Sequence, residues 1–451
     1  MEPAVRDLFD RYVVPSYGRF DIELQRGEGS YVWDGNGRRY LDFGAGIAVC
    51  ALGHGNTEVA TALFDQARIL THVSNLYYNE LQGRLAERLV DLIGPGCCFF
   101  CNSGAEANEG LFKLARKFGN QRATGSNPPG GSGDHPSVDA GRYEIITTFG
   151  SFHGRTLAGI AATGQEKVKN GFEPPVSGFV HVPFNDLAAA EGAITAQTAA
   201  ILVEPIQGES GITLATPGYL RGLRRLCDQH NLLLMFDEVQ AGHFRTGKFQ
   251  SWQTILSGNA GIGFQPMTSS APNDHRLEAD TTTILPDAVS MAKALGGGFP
   301  MGAFWVRDRY RHVLSAGTHA STFGGTPLAC AVALKVLDII EREHLADNAD
   351  CIGEYLLAEL RALKNRYPEM IREVRGVGLM IGIEFNGDAP VFASGDKPAA
   401  LQVLNRLHER GLLAVPALPA VIRLLPPLNI SRAEAADALG IISDAIEGLK
   451  G

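Results

Sequence analysis

Four short segments carry residue types that could do chemistry, and each follows a run of apolar residues. Cys97 to Cys101 leads into Asn102-Ser-Gly-Ala-Glu-Ala107, where a helical pattern begins. Small residues at a helix start let backbone N–H groups and the Ser103 hydroxyl approach an anion such as phosphate, and the helix polarity favours it. The same residues also read as a capping box, Ser103 with Glu106 three positions on. Leu232 to Phe236 ends in Asp237-Glu-Val-Gln240. A carboxylate after five apolar residues is costly unless it is paired or caps something. Taken alone, capping is the better reading of Asp237, and pairing with a protonated ring nitrogen is the other. Ala288 to Met291 is followed by Ala292, Lys293 and Ala-Leu-Gly-Gly-Gly298. A lysine at the mouth of a buried strand sheds hydration, which lowers its pKa and makes the amine nucleophilic. The glycines leave room for a planar ligand, which makes a surface lysine the weaker reading. Last, Ser151-Phe-His-Gly-Arg155 offers an aromatic face for stacking and a guanidinium for a carboxylate. His153 reads better there as a hydrogen-bonded packing histidine than as an acid or base.

The elements that must position these residues are legible as alternating patterns. Ala200 to Val203, Leu232 to Phe236 and Ala288 to Met291 are short, bounded and apolar throughout, as strands buried on both faces are. Ala107, Leu111, Leu114, Ala115 and Phe118 fall on one helical face, and Leu220, Leu223 and Leu226 on another. Strand alternating with helix predicts an α/β fold with a mostly parallel sheet, whose ligands bind at the carboxyl ends of the strands. After Pro327 the texture becomes α+β. Leu328 to His344 is predicted helical, Val377 to Glu384 a strand, Ala399 to Arg410 a helix and Ala420 to Leu425 a strand, before a last helix from about Arg432. Tyr31 to Trp33 and Tyr40 to Phe43 predict a hairpin around Asp34-Gly-Asn-Gly37. The expected division is a large domain over residues 46–327 and a smaller one over 328–451, with residues 1–45 belonging to the smaller. Two stretches rich in Gly, Ser, Asn and Pro, about 123–141 and 257–282, are expected to be surface insertions.

Composition narrows the function. With 451 residues, 45% hydrophobic and 20% charged, the chain is an ordinary globular one of about two domains. Its net charge of -9 lacks the basic clusters of a nucleic-acid binder. No run is apolar enough to span a bilayer, and the mixed-charge stretch Met1 to Phe20 has no apolar signal core, so a cytoplasmic protein is expected. Seven cysteines make no disulfide framework. Cys98-x-x-Cys101 has no second cysteine pair at zinc spacing, and no metal site is expected.

Pyridoxal phosphate (PLP) gives one reason for the whole set, since an anionic aspartate keeps its pyridine nitrogen protonated. The segments, in order, resemble the class III, fold-type-I PLP aminotransferases, and specifically their acetylornithine/ornithine branch. The resemblance runs from about Arg19 to Arg432. It is carried by Asp34-Gly-Asn-Gly-Arg-Arg-Tyr-Leu-Asp42, Ser74-Asn-Leu-Tyr-Tyr-Asn79, Phe100-Cys-Asn-Ser-Gly-Ala-Glu-Ala-Asn108 and Ser151-Phe-His-Gly-Arg-Thr156. Val203-Glu-Pro-Ile-Gln-Gly-Glu209, Phe236-Asp-Glu-Val-Gln240 and Ser321-Thr-Phe-Gly-Gly325 complete it. The resemblance implies a large domain with a mostly parallel sheet and a smaller α+β domain, working as a homodimer with its active site at the interface. It implies that Lys293 holds PLP as a Schiff base, Asp237 pairs with the ring nitrogen, and Ser103, Gly104 and Ala105 hold the phosphate with Thr322 of the other subunit. Phe152 stacks on the ring, Gln240 lies near its phenolic oxygen, and Glu204 and Val239 complete the cofactor site. Arg155 and Arg423 bind substrate carboxylates, Glu209 pairs with Arg423 when none is there, and Tyr78 and Asn75 line the pocket.

The implied reaction moves the terminal amino group of N2-acetylornithine, or ornithine, to 2-oxoglutarate. Other readings are a broad ω-transaminase of the amine:pyruvate or GABA type, a succinylornithine transaminase, and an aminomutase or decarboxylase on the same scaffold. The chain departs from the family pattern at Phe244, where glycine is usual, and at Thr326, where asparagine is usual. The loop near the cofactor is therefore expected to differ at Phe244.

Overall fold

A computed structural model of the chain describes residues 3–123, 141–258, 284–393 and 395–449. The two expected insertions lie almost wholly outside these residues. A seven-stranded sheet forms the centre, in the order Gly96–Cys101, Gly302–Arg307, Ala288–Met291, Leu233–Asp237, Thr198–Val203, Glu144–Thr148, Phe179–Val182. Its neighbours pair in parallel except Gly302–Arg307, which runs antiparallel to both of its own. That strand is absent from the sequence expectation. Its alternation is masked because Gly302 to Val306 are all buried.

The apolar runs are apolar because both faces of the sheet are covered. Ala200, Leu202, Leu233 and Met235 pack on one side with Leu111, Leu114 and Phe118 of the helix Gly104–Ala123. Ile201, Val203, Leu234 and Phe236 pack on the other with Leu220 and Leu223 of the helix Pro217–His230. At about 25 cal/mol per Å2, each large buried side chain contributes roughly 1.5–3 kcal/mol. The caps are local chemistry: Thr216 accepts from the Tyr219 amide ahead of Pro217, and left-handed Asn231 ends the same helix.

At the amino ends of the strands, buried Asp287 accepts from Arg224 Nη1 at 2.8 Å, Arg309 Nη2 at 2.7 Å and the Leu234 amide at 2.9 Å. This pins the entry of two central strands. The predicted N-terminal hairpin is present as Tyr31–Asp34 and Arg39–Asp42, and its second strand pairs in parallel with Leu412–Leu413.

The C-terminal part holds the helices Pro327–Arg342, Ala399–Glu409 and Arg432–Glu447 and the strand Val421–Leu424 where the sequence placed them. It also holds a 22-residue helix, Leu345–Arg366, that was not anticipated. The predicted strand Val377 to Glu384 is present over Met380 to Glu384 within the strand Met380–Phe385, but its start is corrected to a hairpin turn from Ile371–Val377. Gly378, at φ +53°, makes the reversal that the alternating hydrophobics conceal. Cys98 and Cys101 sit three apart on one strand and so point to opposite faces. Among the described residues no three His, Cys, Asp or Glu side chains are placed to hold a metal, and no helix is long and apolar enough to cross a membrane.

Candidate active site

Five parallel strands end at one cavity of about 410 Å3. After Gly96–Cys101 come Ser103, Gly104 and Ala105, and after Glu144–Thr148 come Phe152 and Arg155. Thr198–Val203 delivers Glu204, Leu233–Asp237 delivers Asp237 with Val239 and Gln240, and Ala288–Met291 delivers Lys293. All of these line the cavity, as does Glu209 from the turn between Ile206–Gln207 and Thr213–Leu214. This is the placement expected of a ligand site in a parallel sheet.

Lys293 opens a short 3-10 turn with φ at +49°, in the left-handed region. A side chain there costs roughly 1–2 kcal/mol, a strain kept where the backbone must aim one residue. Its side chain opens onto the cavity while protein crowds round its amine. Burial pushes that amine down to about 8, with Arg423 acting the same way and Glu209, Asp237 and Glu204 opposing.

The two adjacent carboxylates have separate tasks. Glu238 turns away and caps the helix Ser251–Leu256, accepting from the Ser251 and Trp252 amides and the Ser251 hydroxyl at 2.8–3.0 Å. Asp237 faces the cavity. Its Oδ2 accepts from Asn108 Nδ2 at 2.7 Å and lies 2.9 Å from His153 Nδ1, while Oδ1 accepts from the Val239 amide. Glu204 accepts from the Phe152 amide at 2.9 Å, and burial together with the Asp237 charge raises its carboxyl well above the usual range.

At the opposite wall, Ser103 Oγ accepts from the Glu106 amide at 3.2 Å, so the cap is formed. The amides of Gly104 and Ala105 lie in the same first turn, where the helix supplies no acceptor, so the cap leaves them available to an anion. A Cβ on Gly104 would meet Val239 at 2.6 Å, and one on Gly208 would meet Gln240 at 2.1 Å. These glycines therefore let two loops close against the cavity.

Arg423 comes from Val421–Leu424 in the other sheet and is 1% exposed. Its Nη1 donates to Glu209 Oε1 at 2.6 Å and to Gln240 Oε1 at 2.9 Å. Burial raises the Glu209 carboxyl, but the charge and hydrogen bond of Arg423 more than reverse this and leave it below its ordinary value. Arg155 is exposed at the mouth over the Phe152 ring, 5.5 Å from its centroid, and forms no ion pair among the described residues.

Four expected residues do not line the cavity of their own chain: Arg423, which stands behind Glu209 and Gln240, and Asn75, Tyr78 and Thr322. Asn75 donates to the carbonyls of Ser321 and Gly324, tying the Tyr78 segment to the Thr322 loop. Tyr78 is fully exposed beside exposed Leu76, Tyr77 and Phe323. Conversely, Asn108 is absent from the expected set, while His153, expected as a hydrogen-bonded packing histidine, is buried and lies 2.9 Å from Asp237 Oδ2. The available signal for Asn108 was an asparagine on the apolar face of its helix, beside Ala107 and Leu111. Phe244 keeps the backbone of the usual glycine, at φ +65°, and packs its ring on Phe249 rather than in the cavity. Thr326 accepts from the Ala329 amide and so caps the next helix, as asparagine would.

A cavity with an amine at its floor, a fixed carboxylate, an aromatic face and a phosphate cup fits PLP, and marks the chain as an enzyme of that cofactor. The chain belongs to the aminotransferase class-III family, whose model matches residues 12–258 and 277–446. The break in the match falls within the second expected insertion. The acetylornithine aminotransferase of Gloeobacter violaceus is 43% identical over 439 residues, covering 97% of this chain and 96% of that one. The succinylornithine transaminase of Yersinia pseudotuberculosis is 40% identical over 445 residues, covering 99% and 97%. Among solved structures, the ornithine aminotransferase of Toxoplasma gondii is 31% identical with a TM-score of 0.83, covering 100% of this chain and 96% of that one. That enzyme shows partial occupancy of PLP at its active site.

Proposed function

We propose that this chain transfers the terminal amino group of N2-acetylornithine, with ornithine as the nearest alternative donor, to 2-oxoglutarate. The products are the semialdehyde and glutamate, and the setting is arginine synthesis in the cytoplasm. The observation that carries this reading is the pair of arginines in unlike states: Arg155 without an ion pair, Arg423 masked by Glu209. The donor has one carboxylate and the acceptor two. A site serving both in turn needs one cation always available and a second that appears only for the acceptor. Glu209 swinging off Arg423 supplies the second.

PLP, when bound, supplies an electron sink that acidifies the proton on the amine-bearing carbon. In this reading Lys293 binds the cofactor, and its freed amine holds the proton moved during the exchange. Asp237 keeps a negative charge at the ring nitrogen, Phe152 covers one ring face, and the amides of Gly104 and Ala105 with Ser103 hold the phosphate. Gln240 and Val239 border the ring, and Glu204 holds the Phe152 amide.

The protein is proposed to act as a homodimer, with Thr322, Tyr78 and Asn75 completing the partner's pocket. An apolar patch of Leu76, Tyr77, Tyr78 and Phe323 has no cover among the described residues, and a second copy would bury it. We also propose the division into a large domain, residues 46–327, and a small one formed by 328–451 with 1–45.

Product analysis tests the reading. Incubation with acetylornithine and 2-oxoglutarate is expected to give equimolar semialdehyde and glutamate. Good turnover of simple amines with pyruvate, and none of acetylornithine, would instead make it an ω-transaminase.

A further inference from the structure

Asp237 is gripped from three elements, and the grip is unlike that of its neighbour. Glu238 takes two backbone amides and a hydroxyl, as a helix cap does. Asp237 takes one backbone amide and two side chains, both on the same oxygen: Asn108 from the helix Gly104–Ala123 and His153 from the loop after Glu144–Thr148. Asn108 Nδ2 also donates to the His153 carbonyl at 3.0 Å, which joins the two holders. The His153 amide is fixed in turn on Thr163 Oγ1 at 2.9 Å.

Since an ionised carboxylate has no proton to give, His153 Nδ1 carries the hydrogen of its contact with Asp237. Among the described residues its Nε2 is buried without a partner, as is Asn108 Oδ1. Two buried polar side chains, each leaving one atom unsatisfied, are costlier than apolar filler would be. Packing alone does not explain them.

We propose that His153 and Asn108 are positioning residues that hold the charge of Asp237 against the ring nitrogen of PLP, and so keep that nitrogen protonated. The inference rests on the cofactor reading above. Hydrogen bonds to a carboxylate favour its ionised form. Removing a donor lets the proton pass from the ring nitrogen to Asp237, and the ring then withdraws electrons less strongly.

The experiment is nitrogen NMR of the holoenzyme carrying PLP labelled at the ring nitrogen. The wild-type resonance is expected in the protonated range. His153→Leu and Asn108→Ala should each move it towards free pyridine and slow the donor half-reaction about tenfold, with KM for the donor little changed. His153→Asn, whose amide nitrogen overlays Nδ1, should restore both. An unmoved resonance in both variants would overturn the clamp. Should the variants fail to fold, wild-type protein labelled at histidine decides. One slowly exchanging imidazole Nδ1–H is expected with or without cofactor, and its absence overturns the inference. Failure of the wild type to take up PLP would overturn the reading of the site itself, a result distinct from loss of that protected proton.

Discussion

At the floor of the cavity, Lys293 is held in a strained backbone with its amine pushed down to about 8. The unprotonated amine is the nucleophile, so the rate at which cofactor-free protein takes up PLP should rise with pH through about 8 and then level. A profile flat to pH 10 would contradict the shift. The two arginines predict a split. Arg155→Leu should raise KM for donor and acceptor alike by about ten- to a hundredfold, the worth of one hydrogen-bonded charge. Arg423→Leu should do so for 2-oxoglutarate only, and equal effects on both would sink the switch. Elsewhere, burial pushes His243 down to about 3, with Arg245 adding to it. Its folded pKa lies below the unfolded 6.5, so its contribution is present above pH 6.5 and is lost as pH falls towards 3. His243→Gln should therefore flatten the acid side of the stability–pH curve. Lys293, Asp237 and Ser103 were legible because each ends an apolar run. The contacts of Asn108 and His153 with Asp237 were not, because 129 positions separate Asn108 from it and 84 separate His153, and no local rule joins them.

Single elements carry the second set of consequences. The strands Leu233–Asp237 and Ala288–Met291 are set at their amino ends by Asp287 and its arginines. Asp287→Ala leaves Arg224 buried without that partner, and breaking such a pair costs about 3–5 kcal/mol. A lower urea midpoint is expected, with the bound-cofactor absorbance unchanged in native buffer; an unchanged midpoint would show that the clamp is idle. The elements read best from sequence were those whose period is undisturbed, such as Ala288–Met291, predicted at its observed bounds. Two failures have physical causes. The hairpin at Gly378 hides because Val377 to Glu384 reads as one alternating run, while the first arm, Ile371–Val377, carries Arg372, Glu373 and Arg375 and does not read as a strand. The strand Gly302–Arg307 hides beside the glycine run that makes room at Lys293, and its pairing with Gly96–Cys101 and Ala288–Met291 reveals it.

Across the whole molecule, the helix Gly104–Ala123 begins at the residues proposed to hold the phosphate and runs for 20 residues, which is about 30 Å of helix. The first insertion departs from its far end, so replacing residues 124–140 with a short linker should leave kcat and KM within about twofold. The dimer proposal predicts complementation. Mixing Lys293→Ala chains with chains altered at Thr322 and Tyr78 should restore activity in the mixed dimer, where one pocket is intact. No recovery would place those residues outside the partner's site. The most direct measurement of the central claim is a donor half-reaction panel, following the visible absorbance of lysine-bound cofactor against acetylornithine, ornithine, GABA and 1-phenylethylamine. The band should be lost fastest with acetylornithine, return on addition of 2-oxoglutarate, and never form in Lys293→Ala. A band that survives in Lys293→Ala, or one that only 1-phenylethylamine discharges, would contradict the account.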